Sequence, residues 1–444
     1  MKPTASTLVC AGCEWVAPSP EEMRYPFRCK HAGRGDTDHV IARKLDPFRV
    51  EFVRGDDPNP FIRHREMSHA WHTARRRGMT DEAYVELVRR LDEAVAAVDG
   101  RGFRTTPFGR GDALSGRLGF EAAGGVWVKD ETGNVSGCHK ARHLMGILLY
   151  LQVAERRERP PLAIASCGNA ALAAAVLARA ADRQLQVFVP TDAEAPVLER
   201  LQALGAEIAT CPREPGVPGD PCFLRFREAV TGGALPAGGA LPFCVQGSEN
   251  GLTIEGGETL GYEMMTQLGQ TALDHVIIQV GGGALASSVI QAFRFAHRAG
   301  WHAQLPRFHT VQTRGAWPLK RAWDGVQERL RTKGEVEVLA FATKHRSEFM
   351  WPWEEAPHSI AHGILDDETY DWLAVVKGML ASRGSAVVVD EELLREANAL
   401  ARETTGIAVC HTGSAGLAGL MQLRRDGIVK PGERAAVIFS GVQR

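Results

Sequence analysis

From Leu162 onward the chain alternates short apolar, β-branched runs with longer runs in which alanine and leucine recur at helical spacing. "PLAIAS" predicts a strand, "GNAALAAAVLARAADR" a helix, "LQVFVP" a strand, "APVLERLQALGA" a helix and "EIATC" a strand. This is the βαβ rhythm of a parallel, doubly wound sheet. It breaks at 212–242, where proline and glycine mark a loop-rich excursion around one short helix. It resumes with "HVIIQV", "GGG", a helix over "ALASSVIQAFRFAHRAG" and a strand over "RFHTVQ", and "AAVIFSG" predicts a last buried strand. Residues 330–360 have weak periodicity and are expected to be irregular. There is no internal repeat and no low-complexity tract.

In open α/β sheets ligands bind beyond the carboxyl ends of the strands, so glycine-rich turns that follow strands carry weight. Three qualify: "SCGN" (166–169), "GGGA" (281–284) and "HTGSAG" (411–416), the last after a strand expected at "GIAVC". The turn in "VGGGALASS" offers consecutive backbone N–H groups at the start of a helix, a geometry that binds phosphate. It is not a G-x-G-x-x-G fingerprint, because Ala286 stands at the sixth position, and it has no Gly-Lys-Ser/Thr of a P-loop. Alone, such a turn is equally well a tight packing turn.

"KDETGNVSGCHKARHLMG" (129–146) holds small, flexible residues and then changes into a helix-forming run that opens at Lys140. A lysine is electrostatically awkward at a helix start, where the backbone dipole favours anions. Either Lys140 reaches away into water or its amine is held near a pocket for chemistry.

The 444 residues suggest two to three domains, and 52 basic against 53 acidic residues, without a basic stripe, argue against nucleic acid as a partner. No apolar run reaches the roughly 18 to 20 residues that span a bilayer, and the first residues do not read as a secretory signal. Nine cysteines, without regular spacing beyond the first thirty residues, fit reduced thiols, and a cytoplasmic protein is expected.

Taken together, six stretches in register resemble the fold type II pyridoxal-phosphate (PLP) enzymes, in the branch of threonine synthase and threonine/serine dehydratase. They are "TTPFGRGDAL", "VWVKDETGNVSGCHKARHLMG", "ASCGNAALAAA" and "NGLTIEGGETLGYEM", then "VGGGALASSVI" with "GIAVCHTGSAGLAGL" behind it. The resemblance implies two doubly wound α/β domains with the cofactor in the cleft between them. The expected division is a large PLP-binding domain over 46–135 and 246–444, a small mobile domain over 136–245, and a Cys-containing extension over 1–45. It makes Lys140 the Schiff-base lysine and the base at the substrate Cα. Asn169 resembles the asparagine that donates to the ring O3′, Gly281, Gly282, Gly283 and Ala284 the loop that holds the 5′-phosphate, and Thr412 the hydroxyl that faces the pyridine nitrogen. Ser166, Cys167 and Gly168 would take the substrate carboxylate, with Arg142 also at the substrate. His139 stands where dehydratases and threonine synthases have Phe, and in this it looks like tryptophan synthase β, where a His contacts the cofactor phosphate.

The implied activity is elimination or replacement at the β or γ carbon of an amino acid, threonine synthase-like, from O-phosphohomoserine to threonine. The alternatives are a threonine/serine ammonia-lyase, a β-replacement synthase of the cysteate synthase kind, and a PLP-binding protein without turnover. A phosphorylated substrate needs cationic donors, for which Arg142, Arg110 and Arg117 are candidates. The spacing of Cys10, Cys13 and Cys29 is that of a zinc knuckle short of one ligand, which His31 or His39 would supply. A homo-oligomer, a dimer, is expected.

Overall fold

The computed structural model describes residues 5–155, 158–213, 216–217, 219–231, 239–302 and 304–444. The twelve strands among these residues are β1 (Ser6–Cys10), β2 (Ile41–Leu45), β3 (Phe108–Arg110), β4 (Gly125–Asp130), β5 (Leu162–Ala165), β6 (Leu185–Pro190), β7 (Glu207–Cys211), β8 (Leu241–Pro242), β9 (His275–Gln279), β10 (Arg307–Thr313), β11 (Ser385–Val389) and β12 (Arg434–Phe439). They form three sheets: the pair β1-β2, a six-stranded sheet in the order β11-β10-β9-β12-β4-β3 and a four-stranded sheet in the order β7-β6-β5-β8. The six-stranded sheet is parallel except at its edge, where β3 runs antiparallel to β4, and the four-stranded sheet is parallel throughout.

The central strands explain why the apolar runs are continuous rather than alternating. All five residues of β9, "HVIIQ", are buried, as a parallel strand covered by helices on both faces requires. Every strand and helix expected between Leu162 and "EIATC", and every one from "HVIIQV" to "RFHTVQ", is present. The excursion at 212–242 contains the helix Pro221–Thr231, while part of that stretch lies outside the described residues.

Two expectations are corrected. Residues 330–360 are not irregular throughout, because Glu335–Lys344 is a helix; it buries only Val338, Ala342 and Thr343, so its apolar face is too narrow for the periodicity to show. "GIAVC" is not a strand either. Val409 makes one antiparallel bridge to Val442, and Cys410 then caps the helix His411–Arg425.

The helix that Lys140 opens, Lys140–Ala154, is apolar on almost every face and nearly all buried. It packs against the helix Thr253–Leu268 through glycines. A Cβ on Gly146 would lie 2.7 Å from the Gly256 Cα, and one on Gly256 would collide with the carbonyl oxygens of Arg142 and His143. The backbones approach too closely for any side chain, and this contact sets the position of the first turn that carries Lys140. Gly256→Ala should therefore lower the unfolding free energy by about 1–3 kcal/mol, the usual cost of overpacking. Gly116→Ala, where a Cβ meets nothing within 4 Å, is the control in denaturant titrations; equal midpoints for the two variants would contradict this account.

Candidate functional site

Three segments meet at the carboxyl ends of the strands. β4 leads into the loop before Lys140, β5 into Ser166–Gly168 and the helix Asn169–Ala180, and β9 into Gly281–Gly283 and the helix Ala284–Arg298. The helix that begins at His411 closes the group. Gln279, at the end of β9, donates from Nε2 to the carbonyls of Gly413 (3.0 Å) and Ile438 (3.0 Å) and to Ser440 Oγ (2.7 Å), which fixes the turn that carries Thr412. The Lys140 loop is tied to the end of β12, since the Glu131 N–H donates to the Phe439 carbonyl (2.9 Å) and the His139 N–H to the Ser440 carbonyl (3.1 Å).

Lys140 lies where these segments converge. Burial raises the thiol pKa of Cys138, Cys167 and Cys410 and the carboxyl pKa of Asp366, and in each of the four the positive charge of Lys140 opposes the rise. One amine thus acts on the loop before it, on the Ser166–Gly168 turn, on the start of the His411 helix and on a carboxylate beside the glycine turn. Two imidazoles flank it. His139 lies 5.6 Å from His143, ring centre to ring centre, in edge-on contact. His143 is held near pKa 4 by burial, against the Thr253 carbonyl and with Lys140 and Arg142 adding to the fall. His139 is likewise kept neutral, by burial first and then by His143 and Lys140.

The other expected residues fall as follows. Asn169 starts its helix, and its Oδ1 accepts from Arg444, whose Nη2 also donates to the Ser136 carbonyl (2.7 Å). Thr412 Oγ1 accepts the Gly363 N–H (3.0 Å), which leaves its own hydrogen free to donate. At the glycine turn, a Cβ on Gly281 would strike Asp366 Oδ2, one on Gly282 would lie 2.9 Å from the Tyr370 ring, and one on Gly283 would lie 2.9 Å from Thr369 Cγ2. The turn must be glycine, and the Gly282 N–H faces the Asp366 carboxylate. A nest that already accommodates an oxyanion, beside a lysine amine, fits a cofactor that carries a phosphate and an aldehyde.

Arg142 lies elsewhere than expected. It is fully buried, and all its N–H donors are engaged: Nε and Nη2 with Glu131 (2.7 and 3.0 Å), Nη1 and Nη2 with Glu263 (2.7 and 3.0 Å), and the rest with Thr259 and Thr106 (3.2 Å each). Lys129 joins the same group, donating to Glu263 (2.6 Å) and to the Thr106 carbonyl (2.8 Å). Arg110 is paired with Asp112 and the Gly124 carbonyl, and Arg117 with Glu403, both toward solvent. None of the three arginines presents a free guanidinium to the site.

Asp366, His143 and Glu263 escaped the sequence reading. Glu263 lies within a quoted motif, so its spacing was a usable signal. Asp366 sits in "LDDETYD", a run with the composition of an ordinary solvated loop. His143 had only its i+3 spacing from Lys140 to recommend it.

The N-terminal cysteines do gather. One ligand atom each from Cys10, Cys13, Cys29 and His39 lies within 4.8 Å of all the others. Cys10 Sγ is 3.4 Å from His39 Nδ1 and Cys13 Sγ is 3.6 Å from Cys29 Sγ, while His31 Nδ1 stands 3.5 Å from Cys13 alone.

The family model for pyridoxal-phosphate dependent enzymes matches residues 101–441. The chain belongs to that family. Among curated relatives it is 24% identical to the threonine synthase of Methanocaldococcus jannaschii over 338 residues, covering 76% of this chain and 74% of that protein. It is 25% identical to a Bacillus sp. threonine synthase over 330 residues, covering 74% and 79%. Solved structures of the same fold include maize serine racemase, with TM-score 0.58, 18% identity and coverage of 80% of this chain and 93% of that one. Another is the processed form of threonine deaminase isoform 2 from Solanum lycopersicum, with TM-score 0.58, 17% identity and coverage of 82% and 91%.

The buried charge group gives a direct test. Burial pushes the Glu263 carboxyl up, but Arg142 and Lys129 outweigh it and hold the pKa at about 2. A carboxyl lowered on folding contributes stability above its ordinary range and loses it as the pH falls through the folded value. Glu263→Gln should cost about 3–5 kcal/mol at neutral pH, the cost of leaving buried charge without its partner. Urea titrations at a series of pH values should show that deficit shrinking on acidification; a deficit that is small at pH 7, or that grows as the pH falls, would exclude Glu263 as the ionised centre.

Proposed function

We propose that this protein is a PLP-dependent lyase that eliminates the β-hydroxyl of a small hydroxy-amino acid, threonine or serine, and releases its nitrogen as ammonia. The observation that carries this reading is the charge around Lys140. On the side of the Ser166–Gly168 turn the charges acting on Cys167 include Asp192 and Asp220, and Asp220 also acts on Asp366, while Arg444 lies on the opposite side, by Cys138 and Cys410. Carboxylates suit a neutral side chain and repel a phosphate dianion. The arginines that would have bound such a dianion are engaged elsewhere.

When bound, pyridoxal phosphate supplies an electron-withdrawing ring that acidifies the substrate Cα–H. The residues do the rest. Gly281–Gly283 would hold the phosphate by backbone N–H, with His139 as a further contact, and the Ser166–Gly168 turn with the helix behind it would take the substrate carboxylate. Lys140 would hold the cofactor through its amine, and the same amine would move the Cα proton. The Thr412 hydroxyl, whose hydrogen is free, would serve the ring nitrogen as a neutral donor. Unlike a carboxylate it need not keep that nitrogen protonated, which would favour loss of the β-substituent. His139 and His143 stay neutral, so neither competes with Lys140 as a cation.

A second reading, conversion of O-phosphohomoserine to threonine, has its own support: four curated relatives are threonine synthases, at 24–25% identity. A panel of threonine, serine, O-phosphoserine and O-phosphohomoserine, with products identified by mass spectrometry, separates the two. Threonine should yield 2-oxobutanoate and ammonia faster than O-phosphohomoserine yields threonine, and Lys140→Ala should reduce turnover by several orders of magnitude. Faster turnover of O-phosphohomoserine would establish the second reading instead.

The N-terminal cluster we assign to structural zinc, with Cys10, Cys13, Cys29 and His39 as ligands. Tetrahedral zinc at about 2.3 Å from sulfur and about 2.0 Å from nitrogen requires S···S near 3.7 Å and S···N near 3.5 Å. The separations of 3.6 and 3.4 Å match those edges. Protein purified without chelator should carry one equivalent by elemental analysis. Removing the metal should loosen the first ~45 residues while sparing the chemistry at Lys140, because the binding energy of such a site is folding energy. Well under one equivalent, or turnover that falls in step with zinc, would end the assignment.

A further inference from the structure

Residues 363–371 lie as a strap across the site. The Gly363 N–H donates to Thr412 Oγ1 (3.0 Å), and the Thr369 hydroxyl donates to the Gly281 carbonyl (2.9 Å). The Asp371 N–H donates to the Gly282 carbonyl (3.2 Å), and the Tyr370 ring covers Gly282. Between these anchors the Asp366 carboxylate is laid on Gly281 and faces the Gly282 N–H, within the field of Lys140. A carboxylate thus has the two things that a cofactor phosphate needs here, the backbone donors of the glycine turn and the nearby lysine charge. Both anions cannot occupy one small nest.

We propose that Asp366 is an internal surrogate for the cofactor phosphate. With the strap down, the carboxylate holds the glycine turn in its anion-binding shape; when the phosphate enters, Asp366 leaves the nest. The inference rests on the reading of Gly281–Gly283 as the phosphate site. Three features support exchange rather than a permanent contact. Residues 365–371 belong to neither a helix nor a strand, so their displacement breaks no ladder. Burial raises the Asp366 pKa, with Lys140 and the Gly282 N–H opposing the rise, so the carboxylate is held at some cost in a place that would welcome a stronger anion. The Asp366 carboxylate itself has few partners, the Gly282 N–H and the charge of Lys140, against a phosphate that accepts hydrogen bonds on three oxygens.

A self-occupied nest lowers the apparent affinity by the fraction of molecules in which it is open, so a strap that is down in about nine-tenths of molecules weakens binding about tenfold. The test uses the full chain stripped of cofactor and titrated with pyridoxal phosphate, followed by the visible absorbance of the bound cofactor. Asp366→Asn and Asp366→Ala should each tighten binding by roughly tenfold or more. In the unaltered protein, backbone hydrogen exchange at 364–371 should be slow without cofactor and faster with it. Affinities within twofold of the parent for both variants overturn the proposal. If the variants do not fold, the exchange decides alone, and strap protection that is the same with and without cofactor overturns it. Borohydride reduction keeps the two readings apart: cofactor that binds without being trapped on Lys140 refutes the site assignment, whereas trapping on Lys140 with unchanged affinity refutes only the role of Asp366.

Discussion

Everything at the site hangs on a buried charge group that lies behind Lys140. Arg142, two residues after Lys140, is enclosed by Glu131 from the loop after β4, Glu263 from the Thr253–Leu268 helix and Thr106 from the segment before β3. Lys129, from β4 itself, closes the circle on Glu263. Four stretches distant in sequence are therefore held together by groups that would each be costly to bury alone. The arrangement has a directional consequence. Arg142 and Lys140 share the first turn of one helix, so anchoring the guanidinium fixes where the amine points, and the glycine contact at Gly146 and Gly256 lets the helix come close enough for the anchor to reach.

This separates two kinds of charge in one motif. The conversion of "KDETGNVSGCHKAR" into structure puts Lys129, Glu131 and Arg142 into the core and leaves Lys140 half-buried at the cleft. The three core charges are neutralised by mutual contacts and by Glu263, whereas Lys140 has neutral imidazoles and thiols as its close neighbours. A lysine at a helix start, opposed by the dipole, is tolerable where carboxylates such as Asp366 lie within its field.

That distinction also marks how far the sequence could be read. The parallel sheets were legible because β5, β6, β9 and β10 are buried on both faces and so appear as unbroken apolar runs, and the glycine turns because they follow those runs. The three glycines and Lys140 stand out in the sequence by type and order, and the structure brings both to Asp366. The assignment of Arg142 to substrate failed for a physical reason: in a linear motif, an arginine that anchors a helix from behind looks the same as one that reaches forward, and only the carboxylates opposite, one of them 121 residues away, decide. "GIAVC" failed because a short β-branched run beside a helix cap satisfies its backbone through one bridge to Val442 rather than a ladder. The strap was invisible because nothing local in "LDDETYD" says that its carboxylate meets a glycine turn more than eighty residues earlier.

The strap is in turn connected to the other end of the chain. Arg346 pairs with Glu368, two residues beyond Asp366, and with Asp38, next to the zinc ligand proposed at His39. Backbone bonds reinforce the link: the Asp38 N–H donates to the Thr343 carbonyl (2.8 Å) and the Arg346 N–H to the Asp36 carbonyl (2.9 Å). The Cys-containing hairpin thus does not stand apart from the site, although it contributes no residue to it. Through one half-buried guanidinium it holds the far end of the segment whose near end covers the glycine nest. The hairpin is packed into the main core through Leu8, Phe27, Cys29 and Ile41, and this packing gives Arg346 a fixed partner against which Glu368, and with it the strap, is positioned.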